Sequence, residues 1–301
     1  MDYIFPPRLK KGDCIGIVSP SHMVKPGGYD HIFRVLEKLG YRLKTGANLY
    51  SESYVYAASE EERAEDFNSM IHDDDVKMIL FGGGEGGNEL FPYLDFEYLK
   101  NHPKLLSSYS DGTSILNAVN TKCRFVTFYG PGPGQFSDLR HFDFCHFAGN
   151  FFEEYPRAEE YLQDDPWRVL CPGSAEGRLI GGYLELFAMM VGREYRDFDP
   201  SEKHILFLED HEKFHAPNAI SAFLSAIEQQ KFFHHVSALI FGHYASKEYP
   251  ELMDRLTRIG EKWHIPVFYT DDFGHGKDHG IFPIGAMAKI DETGRLTWKV
   301  Q

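Results

Sequence analysis

Short apolar strands alternate with helical stretches through the first half of this chain, and that alternation restricts the fold more than any other feature. Residues 14–18 are a short apolar run, and residues 29–39 carry apolar side chains at helical spacing. Ser59 and Glu62 form a capping box that opens a helix over residues 59–71. Residues 76–81 read as the next strand and 88–98 as a helix; a strand and helix follow around Ser110, and a last strand spans 125–129. Strand followed by helix, repeated, predicts a parallel α/β sheet. Ligands gather at the carboxyl ends of strands in such sheets, and both the glycine-rich segment 82–87 and Ser110 lie at such ends.

Between residues 131 and 172 the periodicity fails, so this stretch is expected to be an active-site loop leading into an interdomain connection. Regular signals resume at 179–186. Strands are expected at 205–208, 236–241 and 267–270, helices at 219–228 and 251–263, and a hairpin turning at Asp291-Glu292-Thr293-Gly294. The expected division is an N-terminal domain over 1–150, a linker and irregular loop over 151–175, and a C-terminal α/β domain over 176–301.

A chain of 301 residues, 43% hydrophobic and 25% charged, is long enough to bury real cores. Its formal net charge of -14 argues against nucleic acid or an anionic membrane as the main partner, because counterion release needs clustered Lys and Arg. A small molecule is the expected partner. No apolar run reaches the roughly 20 residues of a membrane helix, and Met1-Asp2-Tyr3-Ile4-Phe5-Pro6-Pro7 lacks the pattern of a signal peptide, so a cytoplasmic location is expected. Cys14, Cys123, Cys145 and Cys171 lie far apart without a Cys-x-x-Cys pair and read as reduced, packed thiols.

Ser110 ends an apolar stretch through Leu105 and Leu106 and precedes Ile115, Leu116, Ala118 and Val119 at helical spacing. Strand, sharp turn and helix make an elbow that exposes the hydroxyl and leaves the N–H of Asp111 free for an oxyanion. Ser108-Tyr109-Ser110-Asp111-Gly112 imitates G-x-S-x-G with its first glycine replaced. The competing reading is a helix N-terminus capped by Ser110 or Asp111. The run Gly82-Gly83-Gly84-Glu85-Gly86-Gly87 can turn backbone N–H groups toward a ligand; it fits a dinucleotide spacing formally, without a ribose-binding acid downstream.

Leu206-Phe207-Leu208-Glu209-Asp210 ends a strand in two carboxylates, and a carboxylate there can orient a histidine. Phe273-Gly274-His275-Gly276, after the strand at 267–270, offers that histidine between two glycines. A rival signal is His211-Glu212-Lys213-Phe214-His215, a formal H-E-x-x-H. Zinc binding by that motif needs both histidines on one helix face. Here the motif follows a strand and stops at Ala216-Pro217, and Asn218 and Ser221 stand where its extended form needs glycine and histidine. His275 and His279 are also four apart, with Gly276 against a helix between them.

Together these pieces resemble the LD-carboxypeptidases, a family of serine peptidases that includes muramoyltetrapeptide carboxypeptidase and the microcin immunity peptidases. The resemblance spans nearly the whole chain: Lys11-Gly12-Asp13, Ile15-Gly16-Ile17-Val18-Ser19-Pro20-Ser21, the glycine loop with Asn88-Glu89-Leu90, Tyr109-Ser110-Asp111-Gly112-Thr113 and Phe128-Tyr129-Gly130-Pro131. It continues through Gly177-Arg178-Leu179-Ile180-Gly181-Gly182, the strand ending at Glu209, the segment around His275, and Phe282-Pro283-Ile284-Gly285.

The resemblance implies a Ser110, His275, Glu209 triad split between an N-terminal domain of Rossmann-like character and a smaller C-terminal α/β domain, with the site between them, and an oxyanion hole from the N–H of Asp111 and of Gly83 or Gly84; no cofactor or metal is expected. It further implies hydrolysis of the L,D bond of a muropeptide tetrapeptide with release of D-alanine, and a possible homodimer. The alternatives are an immunity-type peptidase cleaving aminoacyl-nucleotide-like amides, a zinc metallopeptidase on His211 and His215, and a non-catalytic ligand-binding relative. An anionic substrate calls for a local donor cluster, from the glycine loop or an Arg such as Arg178. Ser108 and the glycine loop depart from the muropeptide branch, and residues 211–218 are atypical of the family.

Overall fold

A computed structural model describes residues 3–21, 24–51, 58–82, 84–134 and 140–300. Two sheets divide the strands. The first contains β1 (Cys14–Val18), β2 (Arg42–Thr45), β3 (Val76–Phe81), β4 (Leu105–Ser108) and β5 (Thr127–Tyr129), all parallel in the order β5-β4-β3-β1-β2. Every residue of β1, β4 and β5 is buried, as expected of parallel strands covered on both faces. The covering helices are α1 (Asp30–Lys38), α2 (Glu60–His72), α3 (Phe96–Asn101), α4 (Gly112–Cys123) and α5 (His141–Phe151).

The second sheet has a parallel centre of β7 (Ala175–Tyr183), β8 (His204–Glu209), β9 (Val236–His243) and β10 (Val267–Gly274). Antiparallel strands flank it: β6 (Arg168–Cys171) beside β10, and the hairpin of β12 (Met287–Ile290) and β13 (Leu296–Trp298) beside β7. Helices α6 (Leu184–Met190), α7 (Pro217–Glu228) and α8 (Pro250–Trp263) belong to this half. The chain then reaches back. Strand β11 (Phe282–Ile284) pairs antiparallel with β5 and closes that edge of the first sheet.

The α/β class is as the alternation predicts, and the Ser59–Glu62 capping box is present in both directions. Three local expectations need correction. The helix expected over 88–98 is a short 3-10 turn (Gly87–Leu90) followed by α3, because Pro92 lacks the N–H a continuous helix requires and Asp95 caps a new start on the N–H of Tyr98. The stretch 131–172, read as irregular, contains α5 and β6. Helix α5 buries Phe142, Phe147 and Phe151 with His146 and Asn150, so it has no polar stripe to reveal its period. The exposed strand β2, without an apolar run, was not anticipated.

Helix α4 packs against β7 at the boundary between the sheets. The hydroxyl of Thr113 accepts the Tyr183 N–H at 2.8 Å, and the Asn117 amide donates to the Gly181 carbonyl at 2.9 Å. Gly182 has φ +135, and a Cβ there would lie 2.5 Å from the Thr113 hydroxyl, so only glycine permits this approach. Phe207 stacks on Phe282 at 4.5 Å, making one aromatic core of the two halves. Among the described residues no helix is long and apolar enough to cross a membrane.

Candidate active site

The carboxyl ends of β4 and β5 meet those of β8 and β10 across this boundary. Strand β4 ends at Ser108, and α4 begins at Gly112, leaving three residues to reverse direction. Ser110 makes the reversal with φ 54, one of three non-glycine residues at positive φ among those described. A left-handed serine is strained. The elbow anticipated from the sequence is therefore present, and Asp111 occupies the helix N-cap position without a side-chain cap bond. Ser108 donates to the Phe81 carbonyl at 2.7 Å, and a Cβ on Gly112 would meet its hydroxyl.

Glu209 is the last residue of β8 and is fully buried. Strand β10 runs four residues beyond the expected end, through Gly274, and delivers His275 beside it. Gly274 has φ +103, and a Cβ there would lie 2.8 Å from the Glu209 carboxylate. The His275 Nδ1 lies 2.8 Å from Glu209 Oε2, and its Nε2 lies 3.0 Å from Ser110 Oγ. Burial opposes protonation of His275, but the charge and hydrogen bond of Glu209 outweigh it and hold the imidazole above its ordinary pKa. Serine, histidine and glutamate are thus in hydrogen-bonding order.

Ser110 faces a cavity of about 920 Å³ whose walls include Gly82, Gly84, Glu85, Tyr109, Tyr183, Lys213, Phe214 and His215. The Asp111 N–H has no acceptor among the described residues. Its buried carboxylate accepts the Gly87 N–H at 2.7 Å, which pins the glycine loop to the elbow, and burial raises its pKa. Gly84 lines the cavity at φ +141. Gly83 lies outside the described residues.

Other sequence candidates separate from this group. Arg178 does not line the cavity: its guanidinium is buried in a bidentate pair with Glu202 and donates to the Gly285 carbonyl. It is a structural cation at the amino-terminal part of β7, and the expectation that it holds a substrate carboxylate is withdrawn. Residues 212–214 form a turn, as the sequence suggested, so His211 and His215 do not share a helix face. The His215 Nδ1 lies 3.1 Å from Asp210, whose carboxyl burial pushes up to about 7. Among the described residues no group of three or more His, Cys, Asp or Glu is placed to hold a metal ion. All four cysteines are free, with Cys145 and Cys171 partly exposed.

Residues 15–130 match the LD-carboxypeptidase N-terminal domain, and residues 176–290 match the LD-carboxypeptidase C-terminal domain. The chain belongs to the LD-carboxypeptidase family. A carboxypeptidase-named protein of Treponema pallidum is 31% identical over 94% of this chain and 91% of its own. Among solved structures, an MccF-like protein from Bacillus anthracis superposes with a TM-score of 0.88 at 25% identity, covering 99% of this chain and 100% of its own. Muramoyltetrapeptide carboxypeptidase from Oxalobacter formigenes does so with a TM-score of 0.77 at 26% identity, covering 95% and 97%. Membership in the LD-carboxypeptidases makes this chain a peptidase of the hydrolase class.

Sequence reasoning missed one buried polar group here. Tyr129, at the end of β5, donates its hydroxyl to Glu209 Oε1 at 2.5 Å and accepts the Ser110 N–H at 3.0 Å. Its position at the end of the strand paired with β4, which leads into Ser110, was the available signal.

Proposed function

We propose that this chain is a serine carboxypeptidase that cleaves the L,D bond of a muropeptide tetrapeptide and releases D-alanine. The observation that carries the reading is the order Ser110 Oγ, His275 Nε2, His275 Nδ1, Glu209 Oε2, with links of 3.0 and 2.8 Å, opening on a cavity. The proposal includes a nucleophile-bearing unit at 1–150, a connection at 151–175, and a unit at 176–301 that supplies acid and base.

In this reading His275 takes the proton of Ser110 as its hydroxyl oxygen attacks the scissile carbonyl. Glu209 holds the Nδ1 tautomer and stabilises the imidazolium. The Asp111 N–H and a glycine-loop N–H, from Gly83 or Gly84, receive the oxyanion. His275 returns the proton to the leaving amine, and water then hydrolyses the acyl-enzyme by the same route reversed.

A second substrate reading, an aminoacyl-nucleotide-like amide, is favoured by the higher structural likeness to the MccF-like protein. Both substrates use the same triad. The test is a side-by-side assay of a muropeptide tetrapeptide and an aminoacyl sulfamoyl nucleoside, with Ser110 labelling by a fluorophosphonate as control. Release of D-alanine supports the first reading, and turnover of the second compound alone replaces it. Absence of labelling at Ser110 overturns both.

A further inference from the structure

The hydrogen bonds around Ser110 do not end at Glu209. From the Ser110 N–H the path runs to the Tyr129 hydroxyl at 3.0 Å, on to Glu209 Oε1 at 2.5 Å, from Oε2 to His275 at 2.8 Å, and back to Ser110 Oγ at 3.0 Å. It is a closed circuit that starts and finishes on one residue and crosses the boundary between the sheets twice. We infer that Tyr129 is a positioning residue of the catalytic machinery, whose hydroxyl locks the triad's acid to the nucleophile elbow. This inference rests on the reading of Ser110, His275 and Glu209 as the reacting groups.

Three physical features support the assignment. Tyr129 is 1% exposed, so its hydroxyl has no access to bulk water and must find partners within the protein. It finds two of different kinds, using its donor for the carboxylate and its acceptor for the amide. Second, the positive φ of Ser110 turns that residue's N–H toward β5, where an apolar side chain would leave it buried and unpaired. Third, Glu209 has two oxygens to satisfy in a site without exposure, and one donor on each fixes the plane of the carboxylate and so the direction in which Oε2 meets the imidazole.

The circuit also assigns the amides. The Ser110 N–H is committed to Tyr129, which leaves the N–H of Asp111 as the elbow's donor to an oxyanion. Burial, reinforced by Glu209, raises the phenol's pKa well above the ordinary value, so the hydroxyl stays a donor throughout the working pH range. Because its hydrogen bond draws on the charge of Glu209, Tyr129 also sets how strongly that charge acts on His275. Asp210, His211 and Lys213 after β8 also act on His275, and Tyr109 from the elbow, which acts on Tyr129 as well, and Tyr183 from β7 pack against its ring.

Removing the hydroxyl with Tyr129→Phe in the full chain tests this. The readout is the second-order rate at which a fluorophosphonate labels Ser110, followed across pH, which requires no knowledge of the substrate. The expected result is a fall of about ten- to a hundred-fold, the size of one hydrogen bond to a charged group. The acidic limb is expected to move to higher pH, because an unshared Glu209 charge favours the imidazolium more strongly. A purely structural tyrosine would lower the amount of folded protein without moving that limb.

Should Tyr129→Phe fail to fold, 3,5-difluorotyrosine placed at 129 keeps the shape and the hydroxyl while making it a stronger donor. The limb is then expected to move the opposite way, to lower pH. A rate within about threefold of wild type together with an unmoved limb overturns the inference, as does an unmoved limb in the fluorinated protein. A wild-type chain that does not label at Ser110 refutes the triad and the role of Tyr129 together, whereas normal wild-type labelling with an unaffected variant refutes Tyr129 alone.

Discussion

Replacing Glu209 by glutamine probes the proposed chemistry most sharply, because it changes one oxygen to NH2 in a fully buried position with almost no change in volume. Both carboxylate oxygens accept now, one from Tyr129 at 2.5 Å and the other from the His275 Nδ1 at 2.8 Å. An amide supplies one acceptor and one donor. With its NH2 toward His275 it forces the proton onto Nε2, where it points at Ser110 and the ring cannot take a second. With its NH2 toward Tyr129 it keeps the tautomer but offers no charge to stabilise the imidazolium. In a serine protease triad, exchanging the acid for its amide lowers kcat by about 10⁴, which corresponds to about 5.5 kcal/mol at the standard conversion.

The expected result for Glu209→Gln is therefore a fall in kcat/KM of about 10³ to 10⁴ with little change in KM. The pH dependence adds a sign. Activity needs neutral His275, whose pKa is raised because Glu209 outweighs burial. In the variant the burial remains and the charge is gone, so the acidic limb moves below its wild-type position. Linkage gives the matching stability change: His275 in the wild type stabilises the fold below the ordinary imidazole pKa and loses that contribution as pH rises through the raised value. The variant should lack this slope. Hydrolysis and fluorophosphonate labelling across pH measure the rate and the limb, chemical denaturation across pH measures the slope, and a loss smaller than about tenfold, or a limb that moves upward, refutes the reasoning.

Ser110→Ala is expected to abolish hydrolysis at nearly unchanged melting temperature. Ser110→Gly, equally inactive, should melt higher because glycine relieves the positive φ, by about 1 kcal/mol; calorimetry of both decides. Exhaustive chelation should leave turnover intact, and His211→Ala should stay near wild type while His275→Ala is nearly inactive; a stoichiometric zinc required for turnover would contradict this. Gly182→Ala should destabilise by about 2 kcal/mol or more, because its Cβ would sit 2.5 Å from the Thr113 hydroxyl at a φ that disfavours side chains. Chemical denaturation measures that loss.

Most of the parallel sheets was legible because buried strands are continuous apolar runs, and Ser110, Glu209 and His275 were legible because each sits at a strand end in a glycine-rich or acidic context. What escaped lacked a periodic or compositional mark. Helix α5 is apolar and aromatic on several faces, β2 is exposed, and Pro92 divides a helix whose apolar spacing continues past it. Tyr129 looks like any strand aromatic until the second sheet supplies its carboxylate partner. Arg178 failed in the opposite way: a cation near glycines suggested a ligand, but Glu202, 24 residues away in sequence, neutralises it.

Strand β11 gives the chain an order of assembly. The first sheet presents an open edge at β5 until residues 282–284, which follow all four parallel strands of the second sheet in sequence, arrive to cover it. A nascent chain that has completed the whole first half thus still exposes a strand ready to pair with a neighbour. The same dependence means that residues 1–150 expressed alone should be prone to aggregate, and that a peptide spanning β11, supplied in trans, should suppress it. The order of elements also means that products truncated before β8 would carry the elbow of Ser110 without Glu209 and His275, the partners of the proposed triad.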